Sequence, residues 1–172
     1  MITTFRDVSP RIDPTAFVAA SAVVIGDVIV GPESSLWFHT VVRGDIGPIR
    51  IGSRTNLQDH VTVHVVGGAH DVTIGDDVTV GHRAIVHGCV LGHRVLVGMG
   101  AIVLDGVEIG ADCLVGAGAL VTPGTKVPPG RLVLGNPARV VRELRADERA
   151  SLRASAAHYV GYAAEYRAAG IA

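Results

Sequence analysis

Residues 91–127 read LGHRVLVGMGAIVLDGVEIGADCLVGAGALVTPGTKV, with an aliphatic residue at every sixth place: Leu91, Val97, Val103, Ile109, Val115, Val121 and Val127. A period of six is neither the 3.6 of a helix nor the 2 of a flat strand. It describes a short strand and a corner, repeated. The ladder runs back through Val86, Val80 and Ile74, through Val63, Leu57 and Ile51, and through Val42, Leu36, Val30, Val24 and Val18. It pauses at Gly47-Pro48, breaks again over Val66–Asp71, and takes a five-residue step from Val86 to Leu91. Gly or Ala repeatedly follows a rung, as at Gly31, Gly52 and Gly98, and a small or β-branched residue stands four places after it, as at Ala22, Val61 and Cys113. Two inward positions per repeat and three sides per turn give a triangular coil whose turns stack at roughly 4.8 Å. Gly and Asp near the corners suit the backbone torsions required there. The expected fold is an all-β solenoid, a parallel β-helix over 15–130 after an N-terminal segment of 1–14.

Composition agrees with a narrow, regular interior. The chain is 48% hydrophobic but only 4% aromatic, so its core must be built from Val, Ile, Leu and Ala. A length of 172 residues points to one domain. The net charge of −1 offers no footprint for nucleic acid or an anionic membrane. Gly, Asp or Pro interrupts every long aliphatic stretch, and the first residues, MITTFRDVSPRIDP, lack a basic and then apolar signal, so a cytoplasmic protein is expected. Cys89 and Cys113 form no disulfide framework and are expected to be buried free thiols. A connector over 131–146 precedes an expected α-helix over 147–170. It opens on Asp147-Glu148 and carries Leu152, Ala156, Tyr159, Ala163 and Tyr166 on one face, which should pack on the coil.

Three histidines fall at related places in the repeat. His64 and His87 directly follow the rungs Val63 and Val86, so they share a side and a register on adjacent coils and should stack within reach of one ion. His82 follows Val80 by two places, around a corner, and suits the pair of a neighbouring chain better than its own. Three imidazoles with an open fourth position make a catalytic rather than a structural zinc site. His39, His60, His70, His93 and His158 read as outward polar residues. A second group comprises Arg43-Gly44-Asp45 and Asn56-Leu57-Gln58-Asp59. Asp45 and Asp59 offer carboxylates to the planar fork of Arg43 across an interface, and Gln58 reads as an outward amide near the metal.

Arg43-Gly44-Asp45, Asn56-x-Gln58-Asp59, His64, and Gly81-His82 with His87 together resemble the gamma-class carbonic anhydrase family, a branch of the hexapeptide-repeat proteins. The likeness extends to Gly135-Asn136-Pro137-Ala138 and the terminal helix. It implies a left-handed β-helix and a homotrimer with Zn2+, or Fe2+ or Co2+, at each interface. The ligands would be His64 and His87 of one chain and His82 of the next. It further implies an interface ion pair of Arg43 with Asp45 and Asp59. Gln58, Asn56 and Tyr159 would serve as residues of a site that hydrates carbon dioxide to bicarbonate by metal-activated hydroxide. Where active members carry a glutamate after Arg-x-Asp this chain has Ile46. Where they carry an acidic loop it has Val65-Val66-Gly67-Gly68, and the helix asparagine is Gly161. The proton exit is therefore expected to be impaired. Other readings of the same residues are a hydrolase of another substrate such as a coenzyme A thioester, a metal-free hexapeptide acyltransferase, and a trimeric scaffold with a structural metal.

Overall fold

Every aliphatic rung from Val24 to Val127 is buried in a single continuous core that runs the length of a parallel β-solenoid. The structure, a computed structural model, describes residues 1–171. About seven coils stack in register, and their strands group into a sheet of twelve and a sheet of eight. Spacing between stacked positions reports the interruptions directly. It is 18 residues from Val24 to Val42, 21 from Leu36 to Leu57, 23 from Leu57 to Val80, and 17 from Val80 to Val97. The added residues leave the ladder and project sideways. The insertion at 46–48 extends the strand Val41–Ile51, and that at 66–71 forms an exposed loop closed by a Val66–His70 bridge.

Close stacking explains the glycine that follows many of the rungs. A methyl group added at Gly98 would collide with the backbone nitrogen of Ala117 in the coil beyond. Several corners, by contrast, hold side chains at positive φ, among them Arg54, Asp77, Arg94 and Asp112. Each of these donates its amide to the coil before it, as Asp77 does to Ser53 O at 2.9 Å. That stacking hydrogen bond holds a torsion that glycine alone adopts freely. Arg54 to Asp77 and Arg94 to Asp112, each bidentate, tie the same corner together.

Both ends of the solenoid extend further than the repeat pattern suggests. Within 1–14, Ile2–Thr3 and Arg11–Ile12 pair in parallel with Val23–Val30, covering the open edge of the first coil. In the connector, Arg131–Gly135 continues the stack on Leu114 and Val115, then turns back into antiparallel Ala138–Glu143. An unpaired strand edge invites association with another chain, and these segments cap it. Among the described residues no helix is long and apolar enough to cross a membrane. Cys89 and Cys113 are free and buried, and burial pushes the Cys89 thiol up to about 12, leaving it protonated and unreactive.

The helix Ala146–Ala168 lies on the eight-stranded face. Leu152 packs with Leu132 and Leu144, while Ala163, Tyr159 and Tyr166 pack with Phe17 and Trp37. Its start is fixed by Glu148, which accepts the Arg145 amide at 2.8 Å and pairs with Arg142. The Arg142 guanidinium first, and then the Arg145 amide, pull the Glu148 carboxyl from 4.5 down to about 2. Because the folded value lies below the unfolded one, this stabilisation is complete above pH 4.5 and disappears as pH falls through about 2. In acid titrations followed by Trp37 fluorescence, the stability advantage of the wild type over Glu148→Gln should therefore shrink across that window. An advantage that holds constant would show that Glu148 contributes nothing as a carboxylate.

Candidate metal centre

Arg43, His64 and His87 occupy one register on three successive coils, because Arg43 pairs with His64 and His64 with His87 in the parallel ladder. The even inward–outward alternation of a strand turns all three side chains away from the core. His64 Nδ1 and His87 Nε2 stand 3.1 Å apart, with ring centroids at 5.2 Å. Each ring is held from behind by a carboxylate. His64 Nε2 lies 3.0 Å from Asp45 Oδ1, and His87 Nδ1 bonds Asp105 Oδ1. Arg43 pairs with the other Asp45 oxygen. Burial raises the Asp45 pKa, but the hydrogen bonds from His64 and Arg43 outweigh it, and the carboxyl sits below its ordinary value.

These contacts assign the tautomers. An ionised carboxylate only accepts, so Asp45 takes the Nε2 proton of His64 and Asp105 the Nδ1 proton of His87. Two bare lone pairs are then left facing each other at 3.1 Å. Such a pair repels unless a cation lies between, either a proton or a metal. Two nitrogens bound at 2.0–2.1 Å around a tetrahedral ion lie roughly 3.3 Å apart. The donor set fits a divalent ion of the zinc type, and carboxylates behind ligand histidines are the usual orienting partners at such centres.

His82 is elsewhere. Its ring bonds Asp59, with Nδ1 at 2.9 Å from Oδ2, and among the described residues it makes no hydrogen bond to the His64–His87 pair. Among the described residues no group of three or more His, Cys, Asp or Glu is arranged within one chain to hold an ion. Asp59 also accepts the Phe38 amide at 3.1 Å and does not reach Arg43 in its own chain, where Asp45 alone takes that role. Gln58 points away from the coil's core as its register requires, but it is covered, being only 7% exposed. It follows its rung as His64 does, but on the side the helix covers. Its Oε1 accepts the His82 amide at 3.2 Å and its Nε2 donates to Asn56 Oδ1 at 3.3 Å. Asn56 donates to Thr79 Oγ1 at 3.0 Å, and Thr79 meets Ser155 of the helix at 3.1 Å. Gln58 and Asn56 thus form a buried relay that fixes the corner bearing His82 against the helix. Tyr159 stands near this corner, and burial first, with the Asp59 charge second, raises its pKa and keeps it a neutral phenol.

Asp105 escaped the sequence reading. It lies 18 residues beyond His87, one coil on, two places after the rung Val103. An aspartate followed by Gly106 at a corner reads as turn chemistry, and that reading hid it. Ile46 and the 66–71 loop, separated in sequence, meet in space. Gly67 lies against the Ile46 side chain, which is 46% exposed. The two positions expected to lack acids are therefore neighbours.

Comparison with known proteins places the fold and the family. The hexapeptide-repeat model, described as "Bacterial transferase hexapeptide (six repeats)", matches residues 88–123. The chain is 43% identical to a carbonic anhydrase of Geobacillus kaustophilus over 98% of its own length and 92% of that protein's. It is 45% identical to the mitochondrial gamma carbonic anhydrase 1 of Arabidopsis thaliana over 94% of its length, spanning 61% of that longer protein. Its structure superposes on a hexapeptide transferase family protein of Anaplasma phagocytophilum with a TM-score of 0.93 and 40% identity, covering 96% of this chain and 97% of that one. With the repeat, its two interruptions and near full-length identity to a carbonic anhydrase in agreement, the chain belongs to the gamma carbonic anhydrase family of hexapeptide-repeat proteins.

Proposed function

We propose that this protein is a metal-dependent carbonic anhydrase-like enzyme, active as a homotrimer, that interconverts carbon dioxide and bicarbonate. The observation that carries the reading is the pair of imidazole nitrogens, His64 Nδ1 and His87 Nε2, 3.1 Å apart, with Asp45 and Asp105 against the far sides of the two rings. His64 and His87 of one protomer and His82 of the next would hold the ion. A bound zinc-type ion supplies a positive centre that lowers the pKa of water toward about 7. Asp45 and Asp105 keep the two rings in the ligating tautomer, and Arg43 holds Asp45 ionised. The Gln58–Asn56–Thr79–Ser155 relay holds the His82 corner at a fixed distance from the helix. Closed three-fold assembly brings an identical flank of each chain against its neighbour, which is how a ligand set divided between two faces of one chain becomes whole.

A metal-free acyl transfer reading has one observation in its favour, because each of the three histidines has a carboxylate partner suited to a general base. Elemental analysis of anaerobically purified protein, followed by oxygen-isotope exchange between carbon dioxide and water, separates the two. The expected result is about one zinc, iron or cobalt per chain and exchange that chelation abolishes. Metal-free protein that transfers acyl groups, with no exchange after metal is restored, would overturn the proposal.

A further inference from the structure

His82 is anchored at both ends within its own chain. Its backbone amide donates to Gln58 Oε1 at 3.2 Å, and its ring Nδ1 lies 2.9 Å from Asp59 Oδ2. The Asp59 carboxylate is itself oriented, because the Phe38 amide donates to its other oxygen at 3.1 Å. An ionised carboxylate only accepts, so Nδ1 of His82 carries the ring proton and Nε2 is left as a bare lone pair. Asp45 and Asp105 act on His64 and His87 in the same way. Each of the three candidate ligands thus has its own carboxylate.

Asp59 and His82 follow one another at one corner on adjacent coils, since Leu57 pairs with Val80. Arg43 and His64 do the same on the next side. A closed three-fold ring rotates its chains without shifting them along the axis. Where His82 meets the partner's His64 and the partner's His87, Asp59 therefore falls one coil earlier, about 4.8 Å away, at the level of the partner's Arg43. A carboxylate offers about four lone-pair sites, and Phe38 and His82 use two, so it can accept that guanidinium without releasing the ring. We propose that Asp59 is a positioning residue for the metal centre, holding His82 in the tautomer that ligates through Nε2 while it also accepts the partner's Arg43. The proposal rests on the ligand set divided between chains, and it gives Asp59 a task within one chain that an interface ion pair does not require.

Asp59→Asn tests the assignment. The Phe38 amide still needs an acceptor, so the asparagine oxygen stays on that side and its NH2 faces His82. That group only donates, so the ring must accept at Nδ1 and carry its proton on Nε2, where it blocks ligation. The His82 tautomer is read by long-range proton–nitrogen correlation NMR on metal-free protein, its signal assigned by its absence in His82→Ala. Because the Asp59–His82 bond lies within one chain, the reading does not require an assembled variant. The wild type should carry the proton on Nδ1 and Asp59→Asn on Nε2. Affinity for Co2+, followed by its visible absorption, should fall about 10- to 100-fold in Asp59→Asn. Arg43→Gln should weaken the trimer in native mass spectrometry yet leave the His82 proton on Nδ1. A wild-type ring protonated at Nε2 would overturn the proposal, as would an Asp59→Asn protein that keeps the Nδ1 proton or binds Co2+ as the wild type does. A tautomer that changes in Arg43→Gln would overturn it too, because assembly rather than Asp59 would then set the ring. The expected tautomers with no Co2+ bound by any of these proteins would leave Asp59 as the group that orients His82, and would overturn the metal-dependent reading instead.

Discussion

His82→Ala and His64→Ala proteins, each unable to hold metal alone, should recover metal binding when their chains are mixed. In a trimer of His82→Ala chains every interface lacks the third ligand, and in a trimer of His64→Ala chains every interface lacks half of the pair. Random exchange at equal amounts creates interfaces where an intact His64–His87 pair faces an intact His82, and about a quarter of the sites should be restored. The structure gives this experiment its force. His64 and His87 face each other at 3.1 Å, whereas His82 is bonded to Asp59 away from them. Each single variant should lose most of its metal, because three ligands are the minimum for this kind of centre. Bound metal is read by elemental analysis after native mass spectrometry has verified exchange. Verified mixing with no recovery would place the complete site within one chain. Full occupancy in His82→Ala alone would remove His82 from the ligand set.

Turnover should be slow in dilute buffer and rise with the concentration of an imidazole-type buffer. Each hydration of carbon dioxide leaves one proton that must depart before the next cycle. A side chain placed to carry it is worth roughly 10²–10⁴-fold. Ile46 and Gly67, which stand where the family resemblance implies carboxylates, touch, and neither can hold a proton. Isotope exchange at equilibrium, which measures interconversion, should thus exceed net hydration in weak buffer, and added buffer should close the gap. Ile46→Glu should raise the dilute-buffer rate, since the side chain it replaces is 46% exposed and abuts the loop. Fast turnover indifferent to buffer would defeat this expectation and direct attention to Asp105, whose carboxylate is 38% exposed and bonded to His87. Asp105→Asn would then be the deciding variant. It would disturb the tautomer of His87 as well, so metal content must be measured beside rate.

The sequence by itself determined the solenoid, because a period of six with aliphatic rungs satisfies only a coil with short sides. Even the lateral insertions were visible as pauses in the ladder at Gly47-Pro48 and Val66–Asp71. Register then placed His64 and His87 side by side, since stacking maps a position in one coil onto the same position in the next. The amphipathic face of the terminal helix was equally legible, and Leu152, Ala156 and Ala163 are buried on it. What escaped the sequence depends on corners and on covering layers. Gln58 and His64 hold the same place after a rung, yet one is sealed beneath the helix and the other is not, because a one-dimensional repeat does not say which side the helix will cover. Within one chain Asp59 meets His82 and the Phe38 amide, contacts made around a corner that the repeat does not specify. Asp105 looked like part of a turn until the coil beyond His87 brought it against that ring. The aromatic cluster joins Phe17 and Trp37 to Tyr159 and Tyr166, and no periodicity spans that distance. Periodic burial is a local constraint repeated along the chain and can be read locally, whereas side-chain partnerships at corners and between layers are fixed only when distant segments pack.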